Sequence, residues 1–149
     1  MTNDLLWTAL HHWAVFLLVG ALVAEWALLG LQPTVAWVRR LAWVDTLYGA
    51  ASGLVLLAGG ARLMWGAKGA AIYMSNPVFW AKMGVFALIG ALSIYPTVSY
   101  LRWRKAALQS QALPDAARVQ AVRRWVATEL VLLPVLPVLA AMMARGVGL

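Results

Sequence analysis

The chain reads as an all-α integral membrane protein, a bundle of four transmembrane helices. Three observations lead there. Of its 149 residues, 64% are hydrophobic and 11% charged, against about 45–50% and ~25% in soluble domains; mean hydropathy is +0.80. The apolar residues gather into four runs, each near the roughly 20 residues a helix needs to cross a bilayer. No segment alternates apolar and polar residues over the about 10 positions of a membrane barrel strand. A single transmembrane domain, 1–149, accounts for the length.

The first span covers about 5–29, with His11 and His12 toward its start and Glu25 toward its end. The start, Met1-Thr2-Asn3-Asp4, has no basic residue, and the apolar run exceeds the ~7–15 residues of a signal-peptide core. A cleaved signal is therefore not expected. Pro33, Arg39 and Arg40 mark the first connection, and the second span covers about 41–63. Gly59, Gly60, Gly66 and Gly69 then point to a loose helix end and a loop.

Ser75-Asn76-Pro77 opens the third span, a capping side chain followed by proline in the first turn. This span covers about 77–101, and Pro96 inside it is expected to bend it. A basic connection follows, in which Pro114-Asp115 starts a short interfacial helix. The fourth span covers about 125–144. Pro134 and Pro137 predict one irregular turn there, tolerated where neighbours satisfy the freed carbonyls.

Net charge is +7 and the pI near 10.6. Eight of the twelve basic residues (Arg39, Arg40, Arg102, Arg104, Lys105, Arg118, Arg123, Arg124) fall in the first and third connections. Their clustering points to topology and lipid headgroups rather than nucleic acid, and the positive-inside rule puts both termini outside the cytoplasm. Trp7, Trp13, Trp65 and Trp80 are expected in the outer aromatic belt, and Trp37, Trp43, Trp103 and Trp125 in the inner one. With no cysteine in the chain, disulfides, thiolate metal sites, iron–sulfur clusters and cysteine nucleophiles are excluded. The chain has no P-loop, no G-x-G-x-x-G and no H-E-x-x-H spacing.

Helical positions seven apart nearly share a face. His11, Leu18 and Glu25 thus form one inward stripe with Ala14 and Ala21, while His12, Phe16, Val19, Val23 and Trp26 face lipid. Asp45, Tyr48, Gly49, Ser52 and Gly59 form a polar, small-residue stripe on the second helix. On the third, Lys82, Phe86, Ile89 and Ser93 share a face; on the fourth, Glu129 lies above Leu133, Leu136 and Ala140. Two polar layers result. The outer holds His11, Lys82 and Arg62; the inner holds Glu25, Asp45 and Glu129, near Arg39, Arg40 and Arg102. The inner carboxylates read structurally as ion pairs that set helix register, and functionally as a proton path or an acidic-lipid site. Gly20-x-x-x-Ala24 and Gly49-x-x-x-Gly53 offer close-packing faces, used within the chain or in a homodimer.

A histidine near a membrane edge suits haem iron or a proton. Lys82 either snorkels outward or turns inward as a ligand, a proton donor or a propionate partner. Two histidines do not supply paired imidazoles for two haems, so one haem with mixed ligands, or one bridged between protomers, is what the chain allows.

The chain resembles a family of uncharacterised bacterial four-helix inner-membrane proteins. The resemblance rests on Leu10-His11-His12, Leu47-Tyr48-Gly49-Ala50-Ala51-Ser52-Gly53, Asn76-Pro77-Val78-Phe79-Trp80-Ala81-Lys82 and Ser93-Ile94-Tyr95-Pro96-Thr97. More distantly it is similar to HemJ-type protoporphyrinogen oxidases and the membrane domain of the copper-resistance protein CopD. The early histidine matches His11, and the tryptophan–lysine pair matches Trp80 and Lys82; where HemJ-type chains carry a further histidine in the third helix, Tyr95 is followed by Pro96. The resemblance implies a multi-pass protein of a bacterial-type inner membrane that binds haem b. His11 is then the iron ligand, Lys82 the catalytic or cofactor-binding group and His12 a further cofactor contact, with a porphyrinogen or a quinone as partner. The alternative is a non-enzymatic transport, accessory or scaffold unit that handles an ion, a metal or a lipid.

Overall fold

A computed structural model describes residues 2–65 and 69–148, with side chains from residue 5 onward. The described residues form six helices: α1 (Thr2–Leu28), α2 (Val35–Trp65), α3 (Ala70–Met74), α4 (Pro77–Ser110), α5 (Ala116–Leu132) and α6 (Val135–Ala144). There is no strand among them. Four helical stretches are long and apolar enough to cross a membrane: α1 from Leu5, α2, α4, and α5 with α6 taken together.

The spans pack in a ring. α1 lies against α2, α2 against α4, α4 against α5 and α6, and α5 closes back on α1. Neighbours in sequence are therefore neighbours in space and run up and down. At one end the Trp7 and Trp65 rings stack 6.2 Å apart. At the other, Trp37 donates from its indole nitrogen to the Leu28 carbonyl at 2.7 Å and stacks on Trp103 at 5.9 Å. The inward stripe of α1 is buried at Ala14, Leu18, Ala21 and Glu25, while His12, Phe16, Val23 and Trp26 are exposed.

Several elements differ from the sequence expectation. α4 runs past the expected end near 101 and on to Ser110, with Pro96 buried inside it. The interfacial helix is not separate: residues 116–124 and the start of the fourth span are one helix, α5. The irregular turn, by contrast, is where Pro134 predicts one, at Leu133 and Pro134, and the Leu136 amide reaches back to the Leu133 carbonyl there. The region after α2 contains the short α3, whereas Gly66 and Lys68 lie outside the described residues. Trp37 and Trp103 are core residues, 4% and 8% exposed, rather than members of a lipid-facing belt. They stack because α2 starts, and α4 ends, beyond the expected spans. The Gly20 and Gly49–Gly53 faces have open space where a Cβ would stand, so they do not serve as contact points within the chain.

Asn76 ties the segment after α6 to the start of α4. Asn76 is 3% exposed. Its Oδ1 accepts from the Val78 amide at 2.8 Å, capping α4; its Nδ2 donates to the Val147 carbonyl at 3.0 Å. Gly148 follows at φ +89, where a Cβ would come within 2.6 Å of Asn76 Oδ1, so only glycine suits that position. Asn76→Ala removes both bonds and should lower stability by about 1–2 kcal/mol. Asn76→Asp keeps the cap, loses the donor and should fall between the two. Thermal unfolding in detergent reads the order, and a flat series would contradict this role.

Candidate functional site

Three carboxyl groups are buried inside the ring, one from each of α1, α2 and α5. The seven-residue spacing turns Glu25 inward from α1, where it is 2% exposed. Asp45 comes from α2 at 9%, and Glu129 from the last turn of α5 at 0%. They lie near enough that charges on them would repel one another.

Their partners are hydroxyls, not cations. Tyr100 of α4 donates to Glu25 Oε2 at 3.1 Å. Tyr48 of α2 donates to Glu129 Oε2 at 3.2 Å. Thr97 of α4 donates to Asp45 Oδ1 at 2.7 Å. Glu25 Oε1 and Glu129 Oε1 are buried with no hydrogen-bond partner among the described residues. The expected ion pairs with Arg39, Arg40 and Arg102 are absent: those side chains are exposed. The salt bridge found among the described residues is Arg118 with Asp115, at 3.2 Å on the surface. Exposed arginines near the ends of the apolar spans reach the headgroup region, where hydration favours them.

Next to Asp45 a cleft of about 320 Å³ opens between α2 and α4. Thr46, Tyr48, Gly49 and Ser52 line it from α2, and Phe86, Ile89, Gly90, Ser93 and Thr97 from α4. Leu18 of α1, with Leu133 and Leu136 at the α5–α6 break, completes it. No residue on α2 or α4 that lines it belongs to the first or last two turns of its helix. It therefore sits at mid-span, between the two polar layers.

The outer layer forms around His11. Its ring is partly buried, and its Nδ1–H donates to the Val55 carbonyl at 3.2 Å. The ring lies over Gly59, with the Gly59 Cβ position 3.5 Å from it. Lys82 is partly buried, and Lys82, Arg62 and His11 are near enough to interact electrostatically. His12 is exposed, and its Nδ1–H turns back to the Thr8 carbonyl of its own helix at 2.7 Å. His11, Lys82 and Arg62 thus share one region, which His12 turns away from. Among the described residues no three His, Asp or Glu side chains converge as a metal cage requires.

Tyr100 and the role of Thr97 escaped the reading of the sequence. A signal for them existed: Ser93, Thr97 and Tyr100 continue the Phe86–Ile89 face at helical spacing.

Tyr100→Phe leaves Glu25 with neither oxygen bonded and should destabilise the protein by about 1–3 kcal/mol. Glu25→Leu combined with Tyr100→Phe removes both partners and should recover much of that loss, because an apolar pair needs no satisfaction. A double-mutant cycle on unfolding in detergent measures the coupling, and additive effects would show that the bond contributes nothing.

No curated protein matches the chain, and no solved structure does. The family described as "Predicted membrane protein (DUF2214)" matches residues 3–148. With nearly the whole sequence covered, and four apolar helices to match the description, this multi-pass membrane protein belongs to that family.

Proposed function

We propose that the protein handles protons or small cations within the bilayer, through Glu25, Asp45 and Glu129. One observation carries the reading: Glu25 and Glu129 are 2% and 0% exposed, and each keeps an oxygen with no partner among the described residues. An ion buried without a counter-ion costs several kcal/mol, and mutual repulsion adds to that. The cluster is therefore held as neutral acids, each a store of one proton. For packing alone, leucine or glutamine would serve at lower cost. Ionisable groups inside a membrane span generally mark ion pathways or proton relays.

The three hydroxyl contacts join α1, α2, α4 and α5 at one level, and the cleft brings Asp45 within reach of an incoming group. In the orientation we propose, the eight basic residues near this layer face the cytoplasm and both termini lie outside, in a bacterial-type inner membrane. Purified protein in liposomes with an internal pH dye and an imposed pH gradient should speed proton equilibration. Asp45→Asn and Glu129→Gln should each return the rate toward that of protein-free vesicles. Wild-type protein that leaves the gradient untouched would refute the reading.

A second reading is favoured by His11. Its Nδ1–H is held by a backbone carbonyl, which leaves Nε2 as the lone-pair nitrogen; histidines that bind metal are commonly oriented in this way. The residues thus fit a single imidazole ligand for haem b, with Lys82 and Arg62 near enough to meet propionates. The two described clefts are lined by other residues. Bound haem would supply one-electron chemistry, in line with the resemblance carried by His11, Trp80 and Lys82, and a porphyrinogen or a quinone would be the partner. Protein from haem-replete cells should then show a Soret band that His11→Ala abolishes and His12→Ala spares. A colourless, folded preparation would eliminate this reading.

A further inference from the structure

The cleft beside Asp45 has a chemical polarity of its own. Five hydroxyls line it, and each commits its proton to the protein. Thr46 donates to the Ala42 carbonyl at 2.9 Å, Ser52 to the Tyr48 carbonyl at 2.9 Å and Ser93 to the Gly90 carbonyl at 2.8 Å. Tyr48 donates to Glu129 and Thr97 to Asp45. Oxygen lone pairs are what remain for an occupant. Asp45 adds another: it lines the cleft, and its Oδ2 has no hydrogen bond among the described residues. A wall of acceptors suits a donor, and a carboxylate among them suits a positively charged one.

Size and the other walls narrow the class. The volume, about 320 Å³, far exceeds the ~30 Å³ of one water and reaches the small end of ligand pockets, ~300–1,000 Å³. Leu18, Phe86, Ile89, Leu133 and Leu136 supply apolar surface opposite the oxygens. A bare metal ion uses none of that surface. The rim residues Thr46, Gly49 and Gly90 are exposed, and the cleft lies away from the helix ends, so its mouth faces the acyl chains rather than water.

We propose that this cleft binds a small, lipid-soluble organic ammonium ion, its N–H groups on Asp45 and the hydroxyl oxygens and its apolar body on Phe86, Ile89 and the α5–α6 break. The inference rests on reading the acid cluster as a proton- and cation-handling site and names the substrate class. Seating the cation is an exchange. Neutral Asp45 gives up its O–H proton, the carboxylate receives the ammonium N–H, and the released proton passes to bulk water, so net charge in the cleft is unchanged. Glu25 from α1, Glu129 from α5, Tyr48 from α2 and Thr97 from α4 are the groups that face this step; α6 contributes only apolar side chains here.

The experiment uses full-length protein in lipid nanodiscs, with phenethylammonium as the probe, phenethyl alcohol as its neutral counterpart and sodium chloride as the competitor. Titration calorimetry in weak buffer should show saturable binding of the amine with one proton released for each ion bound. The alcohol should not saturate the protein, and sodium should not displace the amine. Asp45→Asn should weaken amine binding about thirtyfold or more, the loss expected for a buried charge partner. Gly90→Leu fills the cleft from a position with open space around it and should also block binding, in a variant that keeps every polar group. Equal binding of the alcohol, displacement by sodium, or binding undiminished in Gly90→Leu would overturn the proposal. The broader reading fails separately: proton flux in liposomes without amine binding defeats only this inference, whereas amine binding in protein that moves no protons upholds it and defeats that reading.

Discussion

The structure depends on carboxyl groups kept away from water and from cations. Four spans converge on Glu25, Asp45 and Glu129, and what satisfies these groups is hydroxyl hydrogen bonding: Tyr100, Tyr48 and Thr97 each give one proton to one carboxyl oxygen. Those bonds tie α4 to α1, α2 to α5 and α2 to α4. In a bilayer, where apolar burial alone does little to select one helix pairing over another, such contacts are an efficient way to specify the ring. Among the described residues they leave one buried oxygen without a partner at Glu25 and one at Glu129, besides the cleft-lining Oδ2 of Asp45, and that shortfall separates a structural network from a functional candidate.

Two layers of opposite character occupy the two halves of the bundle. The outer one collects His11, Arg62 and Lys82; the inner one collects the acids; the α2–α4 cleft occupies the stretch between them. Position along α2 makes the order plain: Asp45, Ser52, the Val55 carbonyl under His11, Gly59, then Arg62. The cleft and the acid layer share Asp45 and Tyr48, so a group entering sideways from lipid meets the carboxyl network at its one partly accessible member.

Much of this was legible in the sequence, and the misses have physical causes. Heptad spacing placed Ala14, Leu18 and Glu25 on the buried face of α1, and the Asn76-Pro77 signature located the start of α4. Carboxylates close in sequence to Arg39, Arg40 and Arg102 suggested ion pairs. Those arginines are exposed, though, and the tyrosines that take their place are 75 and 81 positions away in the chain from the acids they bond. No local pattern reports such a pairing. The tryptophans near the ends of the spans were read as an interfacial belt, but Trp37 and Trp103 stack inside the ring because α2 and α4 run on past the bilayer-length segments. That every hydroxyl of the cleft spends its proton on the protein was also out of reach, since it depends on which oxygen each one reaches.

The central claim is that the inner carboxyls are neutral acids in the resting protein. Infrared difference spectroscopy of protein in lipid at neutral pH tests it most directly. The account predicts carbonyl-stretch bands of protonated carboxylic acids in an apolar setting, removed one by one in Glu25→Gln, Asp45→Asn and Glu129→Gln. A spectrum containing only ionised carboxylate bands, unchanged by those substitutions in the protonated-acid region, would contradict it.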